Sequence, residues 1–424
     1  MKRVKKMFKR HFLKDSQIAS KKVRQVAGDL VYNIIASAVP LFFLQFLIQP
    51  YVARVIGTEQ YGGMLTVVGL LNIGIGMFGS PLNNARLIDN HYYINQKGDY
   101  NIFLSFLSAI NASLLFLVIR LYQLEIDNYE YILLIFISLA SVMTNYLAVE
   151  YRIKLDYKRI MLSKIVQTLG YCLGCLLFII TRDWEWIFFV GYGLCLVYII
   201  FTTSLWKEPF RSTEHIKKTS IRISVLVLSA SLGSFLMYFD RLLIFPLFGG
   251  TELTIYYAAS IVGKTVALIT SPLSSVLLSY IVHLKRITRK QFSFYIIILF
   301  AFAILGYIFC ILISEPLIYL LYPESKDMAM QYVPYSIAAS MFGVVYSFIW
   351  PFVLRFGKNS YPLLITVIKA ILYLLFIIIL VKPFRVMGVN YANLFATAIQ
   401  AFIVIMLGFK VCTKSSQKNE DLII

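Results

Sequence analysis

Charge is scarce in this 424-residue chain. Asp, Glu, Lys and Arg together make up 14% of it, against roughly 25% in an average soluble protein. With 59% hydrophobic residues and a mean hydropathy of +0.75, a soluble globular fold is excluded. Acids are scarcer still, 21 against 40 Lys and Arg. The four histidines (His11, His91, His215, His283) all fall outside the apolar runs, so no His relay crosses a membrane. The five cysteines (Cys172, Cys175, Cys195, Cys310, Cys412) lie within or at the ends of apolar segments, which argues against a disulfide framework. Cys172 and Cys175 form a C-x-x-C, but on a helical run without nearby His or carboxylate, so neither metal nor redox chemistry is expected. Gly263-Lys264-Thr265 resembles the tail of a phosphate-binding loop. That motif needs a glycine where Ala258 stands, and a strand before it. No small-residue cleavage site follows the basic N-terminus, so no signal peptide is expected. The longest polar segments, 206–222 and about 314–330, are too short for a soluble domain. An enzyme with a catalytic domain is thereby disfavoured, and no cofactor is expected.

What remains is apolar runs long enough to cross a bilayer. Twelve are read, near 30–50, 62–82, 101–121, 129–149, 161–181, 184–205, 223–247, 253–280, 292–313, 331–354, 361–381 and 388–411. Thirty of the forty Lys and Arg fall in or at the edge of the termini and even-numbered loops, six in or at the edge of odd-numbered loops and four well inside spans. That bias places both termini of a multi-pass membrane protein in the cytoplasm. The organisation expected is a basic N-terminal segment (1–29), a first six-helix half (30–205), a linker (206–222), a second half (223–411) and a tail (412–424). Residues 1–24 carry ten Lys or Arg against Asp15 alone. They suit anionic lipid head groups and, having few stacking aromatics, not nucleic acid.

The chain reads as doubled. Gly57-Thr58-Glu59 follows the first span and Gly250-Thr251-Glu252 the seventh. Tyr61 follows one triplet, and Tyr256 and Tyr257 the other. Ser80-Pro81-Leu82 recurs as Ser271-Pro272-Leu273. Six spans per half is even, so both halves share one orientation, as in parallel-repeat transporters with the site between the halves. The fold class expected is therefore an all-α integral membrane protein: twelve transmembrane helices in two six-helix pseudo-repeat halves around a central cavity.

Lys264 and Lys369 stand near the middle of apolar runs, as do Asp240 and Arg241. A charge at that depth costs about 3 kcal/mol or more unless a wet cavity or partner receives it, and so marks a substrate or ion path. Asp240 and Arg241, about 100° apart on a helix, cannot simply neutralise each other. Asp240 is the only acid well inside a span. Two readings stand for it: a carboxylate coupling transport to H⁺ or Na⁺, or a structural ion pair with Lys264 or Lys369. Arg86, with Asp89, sits at the cytoplasmic end of the second span, either at an inner gate or as an interfacial pair. Lys264, Lys369, Arg241 and Arg54 against Asp240 make a cationic cavity, attractive to a diphosphate or acidic sugar and repulsive to an organic cation.

The run Pro50-Tyr51-Val52-Ala53-Arg54-Val55-Ile56-Gly57-Thr58-Glu59 with Tyr61-Gly62 resembles the first-span exit of bacterial polysaccharide flippases. Phe239-Asp240-Arg241-Leu242-Leu243-Ile244 and Tyr256 to Lys264 resemble their seventh and eighth spans. These belong to the polysaccharide transport branch of the superfamily that also holds multidrug extruders and lipid II flippases. Members often carry Asn in the eleventh span, where this chain has Lys369. The start of the twelfth, Gly388 to Thr397, fits only loosely. The resemblance implies a flippase that moves undecaprenyl-diphosphate-linked oligosaccharide repeat units to the outer leaflet by alternating access, in concert with polysaccharide assembly proteins. An ion-coupled multidrug extruder and a membrane polysaccharide polymerase are the alternatives. Cysteines introduced at either terminus or in 206–222 are expected to react with impermeant thiol reagents only from inside, and those in 314–330 only from outside. The opposite pattern would overturn the orientation.

Overall fold

The structure, a computed structural model, describes residues 28, 31–92, 98–124, 126–214, 216–281, 287–357 and 361–417. The basic segment up to residue 27 and the side chains of all four histidines lie outside the described residues. Ten helices come first: α1 (Val31–Ile56), α2 (Thr58–Asn90), α3 (Asp99–Leu121), α4 (Asn128–Ile153), α5 (Tyr157–Thr181), α6 (Glu185–Thr202), α7 (Ile216–Phe248), α8 (Gly250–Ile281), α9 (Arg289–Leu321) and α10 (Lys326–Phe356). The run Tyr361–Gln417 is broken at Arg385 (φ 51°) just after Pro383, giving α11 (361–384) and α12 (386–417). All twelve expected spans are helices, and no strand occurs among the described residues. Several edges differ from expectation: α2 runs on to Asn90 and α9 to Leu321, well past the expected ends at 82 and 313. α7 starts at Ile216, inside the 206–222 segment read as a linker, and α12 runs past residue 411.

Local chemistry explains several boundaries. Asp127 and Glu130 form a capping box at the start of α4, and Thr288 and Gln291 do the same for α9. Gly57 (φ 83°) and Gly249 (φ 91°) take left-handed backbone at the α1–α2 and α7–α8 turns, a conformation that glycine adopts without steric cost. The structural repeat is therefore one residue out of register with the sequence triplets. Gly249, not Gly250, occupies the turn position of Gly57.

At this end the two halves interlock. A Cβ on Gly62 would lie 2.2 Å from the Gly250 carbonyl oxygen, so the two backbones touch, as small residues in membrane helices permit. Glu59 accepts hydrogen bonds from the N–H groups of Gly250 and Thr251, both at 2.8 Å, and so caps α8. The Thr58 and Thr251 hydroxyls lie 3.2 Å apart, and those of Tyr61 and Tyr322 lie 3.0 Å apart. At the opposite, basic end, the segment before α7 is pinned to the first half. Asp99 accepts from the N–H and hydroxyl of Thr213, and Glu150 accepts from the N–H groups of Ser204 and Leu205. Asp89 holds Arg222 of α7 and accepts from the Tyr100 hydroxyl. α7 also meets α2 higher up, where Ser234 lies beside Gly76. In a Thr58→Cys/Thr251→Cys variant the two thiols are expected to crosslink under mild oxidation, and Gly62→Val is expected to abolish the crosslink by holding α2 off α8. Crosslinking that is equal in both backgrounds would show that this contact does not depend on the glycine.

Candidate functional site

Two chambers lie on either side of one aromatic ring. The first, about 430 Å³, is walled by α1, α2, α5 and α6, with Tyr238, Arg241 and Tyr257 closing it from α7 and α8. It continues past Asn33, Ile160 and Lys164 into a cavity of about 340 Å³ beside Arg152 and Tyr157 at the basic end. The second chamber, about 160 Å³, lies between α7, α8, α10, α11 and α12. It holds Asp240, Lys264 and Lys369 together with Ser260, Ser336, Ser340 and Asn393.

Tyr257 forms the partition. Its side chain is fully buried and its hydroxyl donates to Gln49 Oε1 at 2.7 Å. The Arg241 guanidinium lies 5.1 Å from the ring centroid and the Lys264 ammonium 5.4 Å from it, both within cation–π range. Asp240 supplies the counter-charge. Its Oδ2 is 3.6 Å from Lys264 Nζ, and its Oδ1 accepts the Arg241 backbone N–H at 2.9 Å. The side chain of Lys264 is 36% accessible, an exposure provided by the chamber. The angular separation expected for Asp240 and Arg241 is realised: one faces the second chamber, the other the first.

The sequence-derived candidates therefore divide. Asp240, Arg241, Lys264 and Lys369 gather around the chambers. Among the described residues Lys369 has no carboxylate partner. Arg54 does not join them. It is exposed at the Gly57 end of α1 and donates to the Leu320 carbonyl of α9, because its position one turn before Gly57 carries it to the interlocked end. Arg86 is buried but also lines neither of these chambers. It pairs with Glu208 at 2.6 Å and stacks 5.1 Å from the centre of the Tyr100 ring, inside the basic-end network.

Lys164 went unrecognised as a candidate. It lines the first chamber and its extension and donates to Gln167 Oε1 at 2.8 Å, while Gln167 donates to the Tyr171 hydroxyl at 2.7 Å. The signal was present: 164, 167 and 171 share a helix face by their i, i+3, i+7 spacing. Gln45 belongs to the same chamber through a π-helical turn of α1, Phe43–Ile48, a local widening frequent at functional sites. Gln45 Oε1 and Arg241 Nε are buried without a hydrogen-bond partner among the described residues.

This arrangement of twelve helices matches a known architecture. An inward-facing multidrug resistance MATE family transporter of the MOP superfamily superposes with a TM-score of 0.59 and 14% identity, over 92% of this chain and 96% of that one. The Vibrio cholerae MATE transporter VcmN in its bent form gives 0.57 and 12%, over 94% and 98%. A MOP superfamily transporter from Pyrococcus furiosus gives 0.57 and 14%, over 92% and 96%. The chain has the MATE fold. No protein-family model and no curated protein sequence matches it. Within the MATE fold, this chain sets three cations and one carboxylate around the Tyr257 partition and the chambers beside it, with Lys164 as a fourth cation in the first chamber. Neutralising Asp240 leaves Arg241 and Lys264 facing one ring without a counter-ion. Asp240→Asn is expected to lower the thermal unfolding midpoint in detergent, and Asp240→Asn with Lys264→Met to recover most of the loss, a coupling of about 1–3 kcal/mol. Simple additivity of the two substitutions would mean that the pair does not interact.

Proposed function

We infer that this chain is an alternating-access transporter that exports an anionic amphiphile, and that its cargo is the undecaprenyl-diphosphate-linked oligosaccharide repeat unit of a surface polysaccharide. One observation carries the reading: the charge of the chambers. Lys164 and Arg241 face the first chamber with no carboxylate lining it, and Lys264 and Lys369 face the second against Asp240 alone. Such walls favour a phosphorylated head group. The amides Asn33, Gln45, Gln49, Asn72 and Gln167 and the rings of Tyr171, Tyr192 and Tyr238 suit sugar hydroxyls and sugar faces. Head group and sugars would occupy the chambers while the polyprenyl tail stays in lipid. With the basic end in the cytoplasm, the present arrangement is the one that loads cargo, and moving the Gly62–Gly250 contact apart would release it outside.

The fold likeness favours a second reading, since several neighbours are multidrug resistance transporters. A cationic drug suits these walls poorly, so an extruder built on this chain would select anionic or zwitterionic compounds. The Pyrococcus furiosus neighbour is described as having a binding pocket of reverse polarity, from which a different function is suggested. In proteoliposomes, the protein is expected to speed transbilayer movement of a fluorescent polyprenyl-diphosphate glycolipid and not efflux of a cationic dye. Lys164→Ala and Lys369→Ala should each slow the glycolipid by about tenfold or more, equivalent to about 1.4 kcal/mol. Dye efflux without glycolipid movement would replace the flippase reading with the extruder.

A further inference from the structure

Asp240, the acid that stands out in the sequence, is engaged by Lys264 and the Arg241 N–H. A different carboxyl in the fold is left without a partner. Glu185, the first residue of α6, is 2% exposed, and its Oε2 has no hydrogen-bond partner among the described residues. It lines a cavity of about 530 Å³ between α2, α4, α6 and α7, at the end of the molecule where the halves interlock. The rim of this cavity carries the exposed residues Gln60, Gln123 and Arg182, so the cavity opens on that side.

The other acids of this cavity are already occupied. Glu59 caps α8 through Gly250 and Thr251. Glu130 accepts the Asp127 N–H at 2.7 Å, and the Tyr129 side chain stands next to Asp183. None of them supplies a donor to Glu185, and Arg182, the one cation lining the cavity, forms no ion pair with it. Glu130 and Asp183 lie close enough to act on Glu185 as like charges. An ionised Glu185 would thus have a buried oxygen with no compensating donor and two acids nearby, whereas a proton on that oxygen removes both problems. Among the described residues no group of three or more His, Cys, Asp or Glu is placed to hold a metal ion, and a single buried carboxyl oxygen without a donor is what a proton completes.

We propose that Glu185 is a proton-binding carboxyl that exchanges with water on the side opposite the one reached by the cargo chambers. The two accesses coexist in one conformation: the chambers extend to Arg152 and Tyr157 at the basic end, while the Glu185 cavity opens at the far end. A site that faces one side while cargo loads from the other is what exchange of a proton for cargo requires. α6 links the two regions, since Phe188 and Tyr192 follow Glu185 by three and seven residues and line the first chamber.

The test needs no cargo. Infrared difference spectra of the full-length protein in vesicles, titrated from acid to alkali, follow the carbonyl band of protonated carboxyls. Glu185→Gln is expected to remove one carboxyl from that titration, Glu185→Asp to restore one, and Asp240→Asn to leave the Glu185 component in place. An unchanged titration in Glu185→Gln overturns the proposal whatever the cargo proves to be. With a transported probe in hand, such as the fluorescent glycolipid, an acidic outer compartment is expected to accelerate wild type and to have no effect on Glu185→Gln, which still equilibrates the probe without a gradient. Retention of the full acceleration by Glu185→Gln would likewise overturn the proposal.

Discussion

Two cations and one carboxylate crowd a single tyrosine ring in the interior of this protein. Arg241 and Lys264 both approach Tyr257, and Asp240 sits beside Lys264 at 3.6 Å. In a bilayer such charges survive only with partners or water. Everything around the ring follows from that requirement. α7 and α8 must sit close enough for Asp240 to reach Lys264, and Tyr257 must be pinned, as Gln49 pins it, to keep its ring between the cations. The chambers on either side leave room for the water that the remaining charge demands. Lys369, with no carboxylate partner among the described residues, is the part of this arrangement that a ligand would complete.

The two ends of the molecule obey different physics. At one end Gly62 and Gly250 bring two backbones into contact, and the surrounding bonds are short-range and directional: carboxylate to helix N-terminus, hydroxyl to hydroxyl. Contact of that kind forms or separates as a unit, which suits a gate. At the basic end, ion pairs such as Arg86–Glu208 and Asp89–Arg222 fasten α7 and the segment before it to the first half and leave the chambers open beside them. The MATE-fold neighbours adopt inward-facing, outward-facing and bent arrangements.

Much of this was legible in the residues. Hydropathy and the placement of Lys and Arg resolve twelve helices, because a membrane tolerates few ways of satisfying a backbone. Asp240, Arg241, Lys264 and Lys369 stand out for the same reason, and the structure brings all four to the chambers. The failures are equally physical. Arg54 lies near a span end, where sequence cannot separate a cavity wall from an inter-half contact; Arg86 is similar, its partner Glu208 being over a hundred residues away. Lys164 and Glu185 escaped notice because an ionisable group near the start of a span normally reaches the interface. Both are instead turned toward cavities by the packing of α5 and α6.

Composition and period thus decide what each segment must be. A run of apolar residues of that length crosses a bilayer, and a lysine in its middle needs water or a counter-charge. Those are local statements about the cost of transferring one segment, and they hold whatever its neighbours are. Which lysine meets which carboxylate, which tyrosine divides the chambers and which acid is left without a donor are decided by helices far apart in the chain. Only tertiary packing sets those distances, and an ionisable group takes its chemical character from distances of a few ångströms.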